Sequence, residues 1–491
     1  MPEIELKLGL TEAAATAVGA TLAARGAETL VLESHYFDTA DRRLARAGLA
    51  LRLRRTGSVW EQTLKGEGAS PIERLEETVT FEPPAAGRAP SPDLALHAGS
   101  AAAPLLERAL GDDADAQLAP VFATAIRRAA LRIETHGAEL EVALDRGVVR
   151  AGERSLPLAE LEVELKDGAV GALIAVGRAS VDAHGMWVST IHKALRGARL
   201  ADPDAARATK ARRPQLEAAA GGAALFRAML QSCLDQVLAN ASVVADADAD
   251  AEAIHQLRVG LRRLRTLRRE LGAWRGALGD AWQAPADALF RALGVLRDRE
   301  TVAASLQQRL RAAGSPAPAL AAEAGDVDAV AAVRAPAFQH ALLDLLEFVL
   351  EPSPERAVRD GDDPGRFVAR RLDKLHKRLR HDAARFDELD EPSRHAVRKR
   401  LKRLRYLAEL VAPLYKERGV KRFVRTLEPA QDALGSFMDL VVASSLAHQI
   451  VEHGDPRAWF NVGWLKAQQP DAVARCTKHL RDVVDAEPFW G

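Results

Sequence analysis

The sequence predicts two domains of different fold class, an α+β domain built on antiparallel strands and an all-α domain that follows it. In residues 1–200, charged and apolar side chains alternate along many short segments, which is the period of a β-strand. From about Leu216 the apolar residues recur at helical spacing, and a segment that begins at His255 recurs about 140 residues later. We therefore predict a first domain over residues 1–202, a linker over 203–221 and a duplicated helical bundle over 222–491.

The first half contains candidate strands and two candidate helices. Many antiparallel strands with one polar face favour a barrel or a strongly curved sheet. The predicted helices, Thr11–Arg25 and Gly168–Val181, would cover its outer surface. The candidate strands are Glu3–Gly9, Leu49–Arg55, Val59–Leu64, Arg74–Phe81, Ile126–Glu134, Glu139–Val149, Glu160–Lys166 and Met186–Thr190.

The composition argues against several classes of protein. The 491 residues carry a formal net charge of zero, and Cys233 and Cys476 are the only cysteines. Without a CxxC pair or a Cys/His cluster, we expect a reducing compartment and no zinc site. The charged N-terminal residues predict no signal peptide, and the sequence has no run of about 18 apolar residues that would predict a membrane span.

The charged faces of the strands carry the strongest functional signal in the first half. Glu3, Glu5 and Lys7 share one face of the first strand, and Glu160–Lys166 repeats this pattern. One such face is ordinarily solvated, but several in one domain favour an inward orientation, which requires a ligand to compensate the crowded charges. Arg and Lys match phosphate oxygens, and clustered carboxylates match divalent metal ions. The pattern therefore predicts a site for a metal-bound polyanion, most simply a chain of phosphates.

Taken in order, these motifs resemble the CYTH superfamily, the triphosphate tunnel metalloenzymes. The resemblance covers about residues 1–200 and implies an eight-stranded antiparallel β tunnel with outer helices, which binds a triphosphate with Mg²⁺ or Mn²⁺. The motifs are Glu3-x-Glu5-x-Lys7, Tyr36–Thr39, Leu51–Arg54, Thr63–Lys65, Glu162–Lys166 and Lys193–Gly197.

The same resemblance implies roles for individual residues. Glu3, Glu5 and Lys65 are the candidate catalytic residues, and strand parity alone selects Arg128 over the adjacent Arg127. The implied metal ligands are Glu3, Glu5, Glu141, Asp145, Glu162 and Glu164. The implied phosphate contacts are Lys7, Arg52, Arg54, Lys65, Arg128, Lys193 and Arg196.

Basic side chains occupy one face of the predicted helices in the second half. The helix that begins near His255 and its copy near His395 each place His, Arg and Lys on one side and leucines on the other. A third basic stretch covers 370–381. Few acidic residues lie within these stretches, so the pattern favours a groove for a polyanion. We do not expect a nucleic-acid partner, because the sequence has no recognition-helix motif and little aromatic interleaving for base stacking.

The duplicated pattern H-x-x-R-x-x-x-[RK]-R-x-R resembles the CHAD domain, a helical domain often found behind CYTH domains in bacteria. The resemblance covers about residues 220–491 and implies binding of inorganic polyphosphate. The candidate contacts are His255, Arg258, Arg262, Arg265, His395, Arg398, Lys402, Arg405, Lys374 and Lys377.

The two resemblances together point to bacterial CYTH–CHAD inorganic triphosphatases. We expect divalent-metal-dependent hydrolysis of inorganic triphosphate in the tunnel, with polyphosphate binding by the helical domain. A non-catalytic polyphosphate-binding or targeting protein is one alternative, and a class IV-like adenylate cyclase or a thiamine triphosphatase is another. The expected location is the cytoplasm, in association with polyphosphate granules, and no membrane partner is expected.

Overall fold

The first half is a sheet of antiparallel strands with helices on its outer side. The computed structural model describes residues 3–68, 72–82, 90–111, 117–217, 220–317, 319–320, 328–350 and 363–491, except the side chains of 67, 74 and 295–305. The elements of the first half are β1 (Glu3–Gly9), α1 (Glu12–Ala24), β2 (Glu28–Asp38), α2 (Arg43–Arg46), β3 (Ala50–Thr56), β4 (Val59–Glu67), β5 (Glu73–Phe81), a 3₁₀ turn (Leu94–His97), α3 (Ala103–Leu110), β6 (Ala119–Thr135), β7 (Ala138–Ala151), β8 (Arg154–Asp167), α4 (Val170–His184), β9 (Trp187–Val188) and α5 (Lys193–Ala201).

The sheet closes on itself as an eight-stranded barrel. Its strand order is β5-β4-β3-β2-β6-β7-β8-β1-β9, and β1 also pairs with β5. Within β1, Lys7 lies opposite Glu162 of β8, while Glu3 lies opposite Arg74 of β5. The short β9 pairs only with the far end of β1, so it lies outside the ring of eight. The closing contact is short, since β1 and β5 pair at only two positions.

The structure adds one strand that was not predicted and shortens one that was. Glu28–Asp38, which was not among the predicted strands, forms β2 and completes the ring between β3 and β6. The predicted strand Met186–Thr190 shrinks to Trp187–Val188. The longest strands are joined by a two-residue turn at His136-Gly137, where both residues have positive φ, as a tight hairpin turn requires.

The apolar face of β1 points outward and is covered by helices. Leu6 and Leu8 of β1 are fully buried in a cluster that includes Val18 of α1 and Leu173 of α4. Burial of such side chains is the main favourable term in folding. The charged positions between them consequently face the interior of the barrel.

The second half is entirely helical within the residues that the structure describes. A fully buried leucine row, represented by Leu257 and Leu261 of the first basic helix, faces the core, and its repeat copy buries Leu401 and Leu404. The helices are α6 (Gly222–Ala245), α7 (Ala251–Leu271), α8 (Gln283–Ala312), α9 (Ala329–Arg334), α10 (Pro336–Leu350), α11 (Pro364–Ala383), α12 (Glu391–Val411), α13 (Glu417–Glu452), α14 (Ala458–Ala467) and α15 (Gln469–Asp485), with 3₁₀ turns at Gly272–Trp274 and Ala412–Leu414.

One described helix, α13, is long and apolar enough to cross a membrane, judged by length and composition alone. Phe423, Leu434 and Phe437 on this helix are fully buried in the common core, and α13 packs against α12, α14 and α15. A single helix of this kind is weak evidence for a membrane span.

The two halves share a packed interface. Helix α4 of the first half lies against α10 of the second, where Gly177 approaches Leu343 and Arg178 forms an ion pair of 2.6 Å with Asp344. The amide of Val188 donates a hydrogen bond of 2.8 Å to the fully buried Gln339. The barrel is therefore fixed to the helical half by both apolar and polar contacts.

Candidate functional site

The barrel encloses a cavity of about 840 Å³, hereafter the tunnel cavity. Its wall is rich in charged side chains from β1, β3, β4, β5, β6, β7, β8 and α5. The sequence-predicted site residues in the wall are Glu3, Glu5, Lys7, Arg52, Arg54, Lys65, Arg128, Glu141, Glu162, Glu164 and Lys193. The fold thus brings eleven of the thirteen implied metal and phosphate residues to one cavity, ten from the strands and Lys193 from α5.

The parity of β6 distinguishes the two adjacent arginines. Arg128 points into the tunnel cavity and donates two hydrogen bonds of 2.8 Å to Asp145. Arg127 is exposed on the outer face of the same strand. Arg128 also pairs with Glu162, so its ion pairs link the three neighbouring strands β6, β7 and β8.

Three carboxylates form a row across β1, β8 and β7. Glu5 lies opposite Glu164, and Glu164 lies opposite Glu141 in the strand register. Like charges directly opposite each other on a sheet are destabilising. Their cationic neighbours lie to the side, since Lys7 is 2.8 Å from Glu5 and Lys166 is 2.6 Å from Glu164. We call Glu5, Glu164 and Glu141 the carboxylate row.

Glu3 lies at the end of this row beside Glu76 of β5. Burial, together with a hydrogen bond with Glu76, raises the pKa of Glu3 to about 8. Burial also acts on Glu76, but the ion pair with Lys65 holds the pKa of that carboxyl below its usual range. Near neutral pH the Glu3–Glu76 pair therefore retains one proton.

A second acidic group lies deeper in the barrel. Asp145, Glu160 and Glu162 are buried, and one ligand atom from each lies within 4.8 Å of the others. The ammonium of Lys193 is 2.7 Å from Asp145 and from Glu162 and also pairs with Glu160. Burial opposes that charge, but these carboxylates together raise the pKa of Lys193 well above its usual value. Asp145 is fully buried behind the cavity wall.

Arg52 and Arg54 of β3 and Lys65 of β4 form the cationic wall, which lies on the other side of the ring. Strands β3 and β8 lie four positions apart in the closed ring of eight, which puts them on opposite walls. Arg52 of β3 is buried, donates a hydrogen bond of 3.1 Å to Thr63 and lies 3.6 Å from Glu76. Arg54 pairs with Glu61 at 2.8 Å. A ligand between the two walls would contact Arg52 and Arg54 on one side and the carboxylate row, with its neighbours Lys7 and Lys166, on the other.

Arg196 lies beside the tunnel cavity rather than in its wall. Its Nη1 atom is 2.7 Å from Oδ2 of Asp246, at the end of α6, and its Nε atom is 3.9 Å from Glu160. One turn later on α5, Arg199 lines the cavity and is only 9% exposed. Arg199 was not among the predicted site residues. Its spacing from Lys193 and Arg196 on one helix was the available signal.

Helices α7 and α12 border two basic cavities in the second half. The first, of about 1010 Å³, is the near groove, and the second, of about 860 Å³, is the far groove. Arg262, Arg398 and Lys402 line both grooves. The near groove adds His255 and Arg405, and the far groove adds Arg258, Arg265 and His395. Each groove is thus lined by the histidine of one repeat and by basic side chains from both repeats.

The two halves of the chain match two different domain families. The CYTH domain matches residues 1–197, and the CHAD domain matches residues 228–448. The chain joins a CYTH domain to a CHAD domain. These matches agree with the closed barrel and with the helical repeat that the structure shows.

Known proteins resemble different parts of this CYTH–CHAD chain. An inorganic triphosphatase from Haemophilus influenzae is 27% identical over 216 residues, which are 40% of this chain and 54% of that protein. The chain therefore matches about half the length of this curated relative. The crystal structure of the CHAD domain from the plant Ricinus communis is 27% identical and covers 56% of this chain and 96% of its own, with a TM-score of 0.45. A putative adenylyl cyclase from Hippeastrum with a dominant triphosphatase activity is 21% identical and covers 38% of this chain and 89% of its own, with a TM-score of 0.25.

The carboxylates of the CYTH domain fit the divalent cation on which triphosphate tunnel enzymes depend. Oε2 of Glu3 is buried without a hydrogen-bond partner among the described residues, and the carboxylate row brings three acidic side chains into direct register. Oxygen ligands of this kind suit Mg²⁺ and Mn²⁺. The deeper group around Asp145 already surrounds the ammonium of Lys193, so the row and Glu3 are the better place for an added cation.

An aromatic ring and a glycine line the far groove. The guanidinium groups of Arg258, Arg262 and Arg265 lie 5.1, 5.2 and 4.9 Å from the centre of the Phe290 ring. A Cβ atom at Gly294 would lie 2.9 Å from Nη1 of Arg258, so the glycine leaves room for that guanidinium. Lys374 and Lys377 are exposed on α11 and are not among the residues that line either groove.

Proposed function

We propose that the CYTH domain hydrolyses inorganic triphosphate with Mg²⁺ or Mn²⁺, and that the CHAD domain binds inorganic polyphosphate. The observation that carries the first part is the opposition of the carboxylate row to the cationic wall inside one cavity. A short chain of phosphates with a bound cation is complementary to both walls at once. The inorganic triphosphatase from Haemophilus influenzae supports the choice of substrate.

The proposed mechanism gives each wall a separate task. Glu3 and the carboxylate row would hold the cation, which when bound would neutralise phosphate charge and activate a water molecule. Arg52, Arg54 and Lys65 would contact the phosphate oxygens, where charge increases as the terminal phosphoryl group is transferred. The barrel would fix the chain in line for attack on its terminal phosphorus and limit the access of other water.

Substrate turnover tests this proposal directly. Phosphate release and cyclic AMP are followed with inorganic triphosphate, thiamine triphosphate and ATP, each with Mg²⁺ or Mn²⁺. We expect phosphate release from inorganic triphosphate to exceed release from the other two substrates. If none of the three substrates is turned over, the enzymatic proposal fails and a polyphosphate-binding protein is the conclusion. Formation of cyclic AMP would identify a cyclase.

A matched pair of glutamate variants tests the carboxylate row. Glu5→Gln removes one charge from the row and is expected to lower kcat/KM by about 10²-fold or more, the scale typical of the loss of a charged group that stabilises a transition state. Glu134→Gln makes the same change at an exposed position of β6 and should retain activity. Full activity of Glu5→Gln would exclude the proposed metal site.

Polyphosphate binding by the CHAD domain rests on the two grooves. The shared residues Arg262, Arg398 and Lys402 provide cations to both, and a polyanion binds such a surface by contacts with its phosphates. Arg262→Gln with Lys402→Gln should weaken retention on immobilised polyphosphate, and the difference from wild type should shrink at higher salt because salt screens these charges. Lys374→Gln with Lys377→Gln removes the same charge from outside the grooves and should have the smaller effect. Equal retention by both double variants would exclude the grooves.

A further inference from the structure

The tunnel cavity and the near groove meet at one point of the chain between the domains. Ala206 and Thr209 line the tunnel cavity, whereas Lys210, Arg212 and Arg213 line the near groove. Thr209 and Lys210 are consecutive, and consecutive Cα atoms are about 3.8 Å apart. The two cavities are therefore neighbours along the segment 206–213, hereafter the strap.

The strap is held against α6 by buried polar side chains. The amide of Thr209 donates to Oδ1 of Asn240 at 3.0 Å, and Nδ2 of Asn240 donates to the carbonyl of Thr209 at 2.8 Å. Asn240 is fully buried. Farther along, the carbonyl of Arg212 accepts a hydrogen bond of 2.7 Å from Ser232 and one of 3.4 Å from Arg263. These contacts fix the backbone at Thr209 and at Arg212, in contrast to a freely moving linker.

Basic side chains continue from one cavity to the other along the strap. Arg199 is buried in the wall of the tunnel cavity next to Thr209, while Lys210 and Arg213 are exposed. Two acidic groups beside this stretch form ion pairs with it. Asp248 is 3.0 Å from Arg207 of the strap, and Glu417 is 3.2 Å from Arg213. An extended polyanion can therefore contact cations along its length from groove to tunnel.

We propose that the strap guides the end of a long phosphate chain from the near groove into the tunnel, so that the protein shortens linear polyphosphate from its end. This rests on the proposed triphosphatase function and extends it to longer substrates. In each turnover the oxygen of water bonds to the terminal phosphorus and the terminal P–O–P bridge breaks. The bridging oxygen leaves with its electron pair on the shortened chain, one inorganic phosphate is released and a proton passes to the solvent. The groove would retain the shortened chain for the next cleavage.

Charge reversal on the strap separates long substrates from short ones. The full chain is given either inorganic triphosphate or a long linear polyphosphate, and both phosphate release and chain length are followed. Lys210→Glu with Arg213→Glu should lower kcat/KM for the long chain by about tenfold or more and change that for triphosphate by no more than about twofold, because local charge acts on capture of the polyanion. Lys478→Glu with Arg481→Glu, on the exposed side of α15, makes the same charge change and should leave both substrates unaffected.

The outcomes distinguish the strap from the tunnel. A wild-type protein that hydrolyses triphosphate but leaves the long chain intact would overturn the strap proposal and leave the proposed function standing. Strap variants whose kcat/KM falls equally for both substrates, or for neither, would also overturn it. Absence of triphosphate turnover in the wild type would overturn both. Thermal unfolding of each variant controls for folding, and the exposed positions are expected to leave it unchanged.

Discussion

Arg196 and Asp246 join the tunnel to the helical domain through an ion pair of 2.7 Å between Nη1 and Oδ2. Both side chains are largely buried, at 15% and 10% exposure. Asp246 also accepts a hydrogen bond of 3.1 Å from the indole of Trp187. A side chain of the CHAD domain thus fixes the helix α5, which brings Lys193 and Arg199 to the tunnel cavity.

Removing the charge of Asp246 should weaken this junction. Asp246→Asn removes the nearest anion of the buried Arg196 guanidinium, with Glu160 left at 3.9 Å, and breaking such a pair costs about 3 kcal/mol. We expect a lower midpoint of chemical unfolding at pH 7. Asp248→Asn changes the same turn at a more exposed position and should have a smaller effect. An equal decrease of the unfolding midpoint in the two variants would contradict the proposed role of the Arg196–Asp246 pair.

The carboxylate row should destabilise the protein until a cation binds. Glu164→Gln relieves repulsion with Glu5 and Glu141, so we expect a higher thermal midpoint than wild type in the presence of a chelator. The same variant should lose most of the stabilisation that Mg²⁺ gives to wild type, because a ligand that binds the native state raises its stability. Glu139→Gln, on β7 outside the cavity wall, is the matched control. A wild type that Mg²⁺ and Mn²⁺ both fail to stabilise would contradict this prediction.

The raised pKa of Glu3 predicts a pH dependence of stability. The carboxyl ionises at about 8 in the folded protein and at 4.5 when unfolded, so between these values the native state binds the extra proton. The free energy of unfolding contributed by this group is therefore fully present below pH 4.5 and is lost as the pH rises to about 8. Urea unfolding at pH 5, 7 and 9 with a chelator present measures it. In Glu3→Gln this decrease should be absent, and an unchanged pH profile would contradict the assignment.

The small size of Gly177, at the interface between the two halves, should be required for full stability. A Cβ at Gly177 of α4 would lie 2.7 Å from Leu6 of β1 and 3.3 Å from Leu343 of α10. Gly177→Ala should therefore destabilise the protein by about 1–3 kcal/mol, in the range of overpacked cores. Gly463→Ala in α14 meets no atom within 4 Å and should stabilise by about 0.5–1 kcal/mol through helix propensity. Chemical unfolding measures both, and effects of the same sign would contradict the packing argument.

Much of the site could be predicted because charge alternation has the period of a strand. Glu5 and Leu6 are neighbours in sequence, and their burial in opposite directions follows from strand geometry alone. The contribution of Glu76 could not be predicted in this way, since it depends on the closure of β1 onto β5. Glu160 shares a face with Glu162 in the sequence, but only the packing of α5 brings Lys193 between them.

The sequence by itself determined the two domain types, the inward charged strands and the duplicated basic helices, because these depend on local periods of two and 3.6 residues. Only the tertiary structure decided which charges face each other. The ring closure places the carboxylate row opposite the cationic wall, and the docking of α6 brings Asp246 to Arg196 and the strap between the two cavities. Such relationships join residues that are distant along the chain, and no local pattern of side chains encodes the distance between them.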